Sequence, residues 1–313
     1  MAGTARSSAG AGAALDRKTL LLYAAVVFIW GTSWIALHLQ LGVVSPEVSV
    51  VWRFALAAVI MTAYAVLTGE RLSFGLSGHV RFAVLGALLF SSNFVLFYYG
   101  GLTVPSGLLA VVFSLASVFN LALGAVFFRQ RIEPRVAVGG LLGVLGVAAM
   151  FAPELQAHGL DRATLGGLAL CVLATLCFCL GNMAATNVYR DGISTVSATV
   201  WGMIYGTGFL AAVAVLRGQP FTVEPTAAYL GALLYLSIVA SVLAFAAYLR
   251  LLRTIGAARA GYTTVLFPVV ALAISTVAEG YVWTMPAVAG LVLVLLGNLL
   301  VLSRGTPARE ASR

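Results

Sequence analysis

The chain has 313 residues, of which 61% are hydrophobic and only 9% are charged, and its mean hydropathy is +1.04. A soluble globule of this size needs more polar surface than this composition supplies, so the soluble class of protein is excluded. The formal net charge is +8. We ascribe this excess to membrane topology and to contact with anionic lipid headgroups, and we expect no nucleic-acid partner.

Ten apolar stretches follow one another along the chain, and each has about the 20 residues that a helix needs to cross a bilayer. We therefore expect an all-α polytopic membrane protein with disordered tails at residues 1–18 and 304–313. Numbered one to ten in chain order, the predicted spans are 19–41, 46–68, 80–102, 105–128, 134–152, 164–187, 196–216, 226–249, 260–279 and 283–303.

The positions of the basic residues predict the orientation in the membrane. Arg162 and Arg217 fall in the loops of one side and Arg53 lies inside span two, which leaves 15 of the 18 Lys and Arg residues on the side that holds both termini. Basic residues beside spans are retained in the cytoplasm. We expect a multi-pass protein of the cytoplasmic (inner) membrane with both termini cytoplasmic.

Sequence elements of the first five spans recur in the second five. Leu-Gly-Ala-Leu-Leu-Phe at 85–90 returns as Leu-Gly-Ala-Leu-Leu-Tyr at 230–235, Trp52 matches Trp201, and the Gly-rich span five matches span ten. Because five is odd, the second copy enters the membrane from the opposite side, which is the inverted repeat found in many secondary transporters. The predicted units are residues 19–152 and 164–303.

Polar and aromatic side chains near the middle of the spans are candidates for a substrate cavity, because such groups are costly in lipid. For each of them a helix-to-helix or backbone hydrogen bond remains the structural alternative. Spans five and ten have few such residues and many glycines, so we expect them to act as packing supports. The cavity candidates are Trp30, Ser33, Asn93, Tyr98, Asn120, Asn182, Tyr205 and Tyr248.

Arg53 is the single basic residue well inside a predicted span, roughly 10 Å from its start by helical rise. Three roles stay open for it. The side chain can reach outward to lipid headgroups, bond to carbonyl groups of a neighbouring span, or attract a carboxylate on the substrate.

No acidic residue lies in the middle of a predicted span. The two carboxylates nearest to the membrane region, Glu47 and Glu279, lie at span ends. A proton-coupled antiporter of lipophilic cations needs a buried carboxylate, and highly anionic substrates need a basic cluster, so both classes are disfavoured.

If protons are coupled, Glu279 is the candidate, because it follows Pro268 on the same helix. Pro268 lies inside span nine and predicts a hinge there.

The chain resembles EamA-type transporters of the drug/metabolite transporter superfamily over nearly its whole length. The resemblance rests on the two five-span units, on Trp30-Gly31-Thr32-Ser33-Trp34, on an Arg after the Pro that starts span two, and on 268–272 in span nine. It implies alternating access to a central cavity, often for efflux of amino acids or other metabolites. Ser117 stands where that family often has a proline, and Arg129-Gln130-Arg131 replaces the usual Gly-Glu-Arg.

We therefore predict a secondary transporter that exports a small neutral, zwitterionic or amphipathic metabolite, with no cofactor, no metal and no ATP-binding motif. An intramembrane lipid-modifying enzyme is the first alternative, but His38, His79 and His158 lie near span ends or in loops, and no nucleophile pairs with them. A passive channel is the second. Substrate, coupling ion and oligomeric state do not follow from the residues.

Overall fold

The computed structural model describes residues 16–129, 133–157 and 162–302, and these residues form helices and short connections with no strand. The predicted all-α architecture of ten helices is confirmed, with nine helices long and apolar enough to cross a membrane and a shorter apolar tenth. Their bounds are Arg17–His38, Pro46–Leu67, Leu76–Gly101, 106–128, Pro134–Ala157, Arg162–Arg190, Thr195–Leu216, 227–261, Thr263–Ala278 and Met285–Leu302.

The helices run longer than the apolar stretches in several places. Span one begins at Arg17, inside the segment predicted to be a tail, and residues 1–15 of that tail lie outside the described residues, as does 304–313. Span eight continues as helix to Gly261, so almost no loop separates it from span nine. Hydropathy detects the apolar part of a helix and misses polar turns that extend beyond it.

Polar side chains and glycines mark where the helices start and stop. Asp16 caps span one by accepting a hydrogen bond from Thr19 N, and Ser194 caps span seven by accepting one from Ser197 N. Gly280 adopts a positive φ of 69° directly after span nine, a conformation that costs glycine little. We call the end of the bundle with residues 16 and 302 the terminal end, and the opposite end the far end.

Spans five and ten, which we expected to act as packing supports, form a closely packed pair. A Cβ on Gly290 would lie 2.5 Å from the Gly146 carbonyl oxygen, and one on Gly139 would lie 2.7 Å from the Gly297 oxygen. Small residues at these positions let the two backbones touch along the interface. The pair is a packing support beside the other eight helices.

Spans three and eight each contain a π-helical segment at the place where the repeated sequence lies. Leu88–Ser92 interrupts span three, and Tyr235–Leu243 interrupts span eight. A π segment adds a residue to the helical turn and is frequent at functional sites. Its appearance in both repeats places an irregular backbone at mid-depth beside several of the polar candidates.

The two repeats also anchor their ends with matching tryptophans. The Trp52 indole nitrogen donates to the Thr222 carbonyl at 3.0 Å, and the Trp201 indole nitrogen donates to the Leu72 carbonyl at 3.0 Å. Each bond joins a helix of one repeat to a loop of the other, at opposite ends of the bundle. This exchange is what two units of opposite orientation produce.

Candidate functional site

Arg53 lies buried between spans two, three and eight, with only 5% of its surface exposed. Its Nη2 and Nε donate to the Ser241 hydroxyl in the π segment of span eight, at 3.2 and 3.4 Å. The guanidinium carbon lies 4.5 Å from the Phe94 ring centroid and 5.1 Å from that of Phe54. The side chain therefore points into the protein, and the lipid-facing alternative does not describe this conformation.

Tyr98 lies beside the Arg53 guanidinium and is fully buried. Its hydroxyl donates to the Gln40 side-chain oxygen at 2.5 Å. Asn93, one turn earlier on span three, is 2% exposed, and its side-chain oxygen has no hydrogen-bond partner among the described residues. The hydroxyl of Ser237 on span eight is also buried without a partner. Buried polar atoms are usually satisfied, so these two exceptions call for an explanation.

Aromatic residues of span one form a second group of candidates. The Trp30 ring lies 5.0 Å from that of Tyr248, and both side chains are half-buried. Ser33 donates to the Trp30 carbonyl at 2.7 Å, which is the bond to the helix backbone that its structural alternative describes. Trp34 packs between Phe97 and Phe113, closer to the centre of the bundle.

Asn120 and Asn182 meet at the terminal half of the bundle. The Asn182 side-chain nitrogen donates to the Asn120 oxygen at 3.3 Å, and both residues are half-buried. The helix of span four is interrupted at Leu115, and its second half, Ala116–Phe128, packs mainly on span six, whereas span nine packs on span one and Ser106–Ser114. Spans four and nine therefore separate toward the terminal end.

Tyr205 takes a different place from the other candidates. Its hydroxyl shares a 3.0 Å hydrogen bond with His79 Nδ1, and its ring packs near those of His79 and Trp201. These contacts join spans three and seven near the terminal end. No sequence pattern predicts this pairing, because the two residues are 126 positions apart.

Glu279 lies at the far end, where it binds the start of span four. Its carboxylate accepts from Ser106 N at 3.1 Å and from the Ser106 hydroxyl at 2.5 Å, and His38 Nδ1 lies 3.2 Å from it. A carboxylate at a helix N-terminus satisfies unpaired N–H groups and favours the positive end of the helix dipole. This Glu279 cluster, made of Glu279, Ser106 and His38, joins a helix of the second repeat to two helices of the first.

A second ionic group lies at the same end. Glu47 is 1% exposed and pairs with Arg217, while the Tyr99 hydroxyl donates to Glu47 at 2.7 Å and accepts from Arg217 at 2.6 Å. The hydrogen bond to Tyr99 and the Glu47 charge raise the pKa of Arg217. Glu47 therefore joins the start of span two to span three and to the end of span seven.

Pro268 is buried against span one inside a helix that continues unbroken from Thr263 to Ala278. A Cβ on Gly31 would lie 2.6 Å from the Val270 side chain, so spans one and nine cross closely beside the proline. The predicted hinge stays a prediction. The interruption at Leu115 in span four, which lacks a proline, was not expected from the sequence.

An open cleft of about 300 Å³ lies at the terminal end, away from Arg53. The start of span seven closes one wall of it, where the Ser194 hydroxyl donates to Glu70 at 2.6 Å. Arg81 pairs with Asp191 across it. Within the described ranges no three His, Cys, Asp or Glu side chains come together as a metal site would require.

The family model of the EamA-like transporter family matches residues 17–152 and 165–303, one copy on each repeat. The chain belongs to this family. The two matched segments coincide closely with the five-helix units predicted at 19–152 and 164–303.

Relatives of similar length carry transporter names. The chain is 26% identical over 290 residues to an "Uncharacterized transporter" of Archaeoglobus fulgidus, covering 92% of this chain and 99% of that one. It is 26% identical over 296 residues to a "Probable amino-acid metabolite efflux pump" of Salmonella typhimurium, covering 90% and 94%. A solved crystal structure matches with a TM-score of 0.63 at 16% identity over 90% of this chain and 96% of the other, which supports the fold alone.

Proposed function

We propose that this protein is a secondary transporter that exports a small organic metabolite, an amino acid or a similar neutral, zwitterionic or amphipathic solute, by alternating access. The family and the names of the relatives favour a transporter over an enzyme. The main observation in support of this mechanism is the Glu279 cluster. It joins span nine of the second repeat to spans one and four of the first repeat at their far ends. Its rupture would free span nine from spans one and four at the far end.

The separation of spans four and nine toward the terminal end supports the same mechanism. In this conformation the far end is held shut by Glu279, while the half-buried Asn120 and Asn182 lie on the terminal side. We assign the terminal end to the cytoplasm from the distribution of Lys and Arg. A solute would then enter from the cytoplasm and leave when the far end opens.

Exchange in vesicles tests the proposal. Proteoliposomes loaded with labelled L-leucine, L-phenylalanine or L-threonine are diluted into buffer with or without the same unlabelled solute outside. An alternating-access carrier gives saturable exchange that is accelerated by solute on the opposite side. Movement that is linear in concentration and not accelerated would support the passive channel instead.

A reversible cross-link tests the far-end closure directly. We place cysteines at Ser106 and Glu279 in a chain whose Cys171, Cys177 and Cys179 are replaced by alanine. Oxidation should stop exchange and reduction should restore it, because the far end can no longer open. Each single-cysteine variant is the matched control, and exchange that continues in the fully cross-linked protein would refute the assignment of this cluster as a gate.

Glu279 is also the candidate for proton coupling. Its carboxylate accepts three hydrogen bonds from Ser106, and a proton on it would remove acceptor capacity and loosen the cluster. We expect a pH gradient to drive efflux in the wild type and to have no effect in Glu279→Gln. Gradient-driven efflux that is unchanged in this variant would exclude Glu279 as the coupling residue.

A further inference from the structure

The Arg53 charge lies in the membrane region without a counter-ion from the protein. Among the side chains that the structure describes, no carboxylate oxygen lies within 4 Å of its guanidinium. Its polar neighbours are the Ser241 and Tyr98 hydroxyls. Two neutral hydroxyls and two ring faces offset only part of the penalty for removing a guanidinium from water.

The carboxylates of Glu47 and Glu279 at this end of the bundle have partners. Glu47 pairs with Arg217, and Glu279 faces His38 and Ser106. Carboxylates are therefore available near the far end, but the fold places them on other groups. Of the two charged side chains that are buried in the described part of the chain, Glu47 has an ion-pair partner and Arg53 has none.

Packing alone does not require an arginine at this place in the repeat. Trp201 follows Trp52 by 149 positions, and the same offset makes Gly202 the residue equivalent to Arg53 in the second repeat. At Gly202 the neighbouring Phe90 ring closes against the bare backbone, and a Cβ there would lie 2.8 Å from it. One repeat thus fills the equivalent interface with a phenyl ring, and the other fills it with a charge.

We propose that Arg53 is the counter-charge for a single carboxylate on the transported solute, so that the substrates are small monocarboxylates, amino acids among them. This proposal rests on the proposed transport function. The planar guanidinium presents paired N–H donors that match a carboxylate, and the nearby Ser241 hydroxyl supplies a further donor. One guanidinium with no second cation beside it favours one negative charge on the ligand.

The surroundings of Arg53 also suit the apolar part of such a solute. Phe54 and Phe94 provide apolar ring faces beside the guanidinium. The π segment Tyr235–Leu243 carries Ser241 and covers the guanidinium in this conformation. Binding therefore requires this segment to move.

Pairs of acids and amides test the charge requirement on the wild-type protein. L-leucine, L-phenylalanine and L-threonine are each compared with their amides, which keep the side chain and the amino group but lose the carboxylate. Melting temperature and vesicle exchange are measured for both members of each pair. We expect at least one acid to raise the melting temperature and to be exchanged. Its amide should need at least a tenfold higher concentration to give the same rise in melting temperature and the same exchange rate.

Variants of Arg53 test the residue itself. Arg53→Gln should weaken the response to that acid at least tenfold, and Arg53→Lys should restore part of it as a point charge. Arg17→Gln, an exposed arginine at the start of span one, is the matched control and should behave as wild type. If Arg53→Gln does not fold, the acid-to-amide ratio of Arg53→Lys provides the same test, because a weaker counter-charge should lower that ratio.

The outcomes separate this inference from the transport function. Exchange of an amide as strong as that of its acid, or wild-type affinity in Arg53→Gln, would overturn the role of Arg53 and leave the protein a transporter. A folded wild-type protein that exchanges none of the six compounds would count against the proposed function, and the inference would fall with it.

Discussion

Two equivalent helix interfaces contain different side chains. One lies between spans two and eight, and its equivalent in the other repeat lies between spans seven and three. In the first, Arg53 lies against Ser241 of the π segment. In the second, Gly202 and Gly206 bring their backbone against Gly86, where a Cβ on Gly206 would lie 2.7 Å from the Gly86 oxygen. Two copies of one architecture have thus become a close packing contact and a buried charged group.

This difference separates scaffold from site. The glycine contact is specified by shape and tolerates no added atom, which is typical of packed helix interfaces in membranes. The Arg53 group carries a buried charge that has no carboxylate partner among the described side chains, and such groups are usual where a ligand completes the structure. Asymmetry between repeats therefore marks the candidate site more clearly than any single motif.

The largest effect should follow from adding one methyl group to the glycine contact. Gly206→Ala forces its Cβ against the Gly86 carbonyl and should cost about 1–3 kcal/mol of stability by overpacking. The control is Gly208→Ala, two residues along the same helix, where a Cβ meets nothing within 4 Å. That variant should be neutral or stabilise by up to about 1 kcal/mol. Thermal unfolding in detergent measures both, and equal melting temperatures would show that the contact is not tight.

The matching tryptophan anchors should contribute equally, because each makes one hydrogen bond to a loop of the other repeat. Trp52→Phe and Trp201→Phe each lose a bond of 3.0 Å to a carbonyl, for a cost of about 1 kcal/mol. The double variant should show additive losses, since the anchors lie at opposite ends. A loss confined to one of them would indicate that the repeats are not held together symmetrically.

A smaller gain should come from relieving strain after span four. Arg129 has a φ of 53°, and by its position after the helix it matches Gly280, whose φ is 69°. Glycine avoids most of the cost of this conformation, so Arg129→Gly should stabilise the protein by about 0.5–1 kcal/mol. Gly280→Arg is the reciprocal variant and should destabilise it. An unchanged melting temperature in both variants would show that the backbone conformation at these two positions does not affect stability.

The helices follow from the sequence because length and hydropathy are local properties. The glycines at 139, 146, 290 and 297 indicated that spans five and ten support packing, but the structure is needed to show that the two spans pack on each other. The π segments are not visible in this way, since no residue type specifies the extra residue in a turn.

The contacts of the candidate site are less predictable from one sequence. Arg53 could be singled out because it is a charge within a span, yet its partner Ser241 is 188 positions away. Glu279 could be placed at a span end, but its bonds to Ser106, 173 positions away, depend on how two helices from different repeats meet. Tyr205 was grouped with the cavity by depth alone, and depth does not tell which neighbour a helix face meets.

The most direct test of the role of Arg53 is the melting temperature of the ligand-free protein with Arg53→Met. Methionine keeps an unbranched chain of similar reach and removes the charge, so a guanidinium kept for a ligand should leave the protein more stable when it is lost. We predict that the melting temperature rises while the response to the carboxylate solutes disappears. A melting temperature that falls as far as it does in Gly206→Ala would contradict the account and make Arg53 a structural residue of the fold.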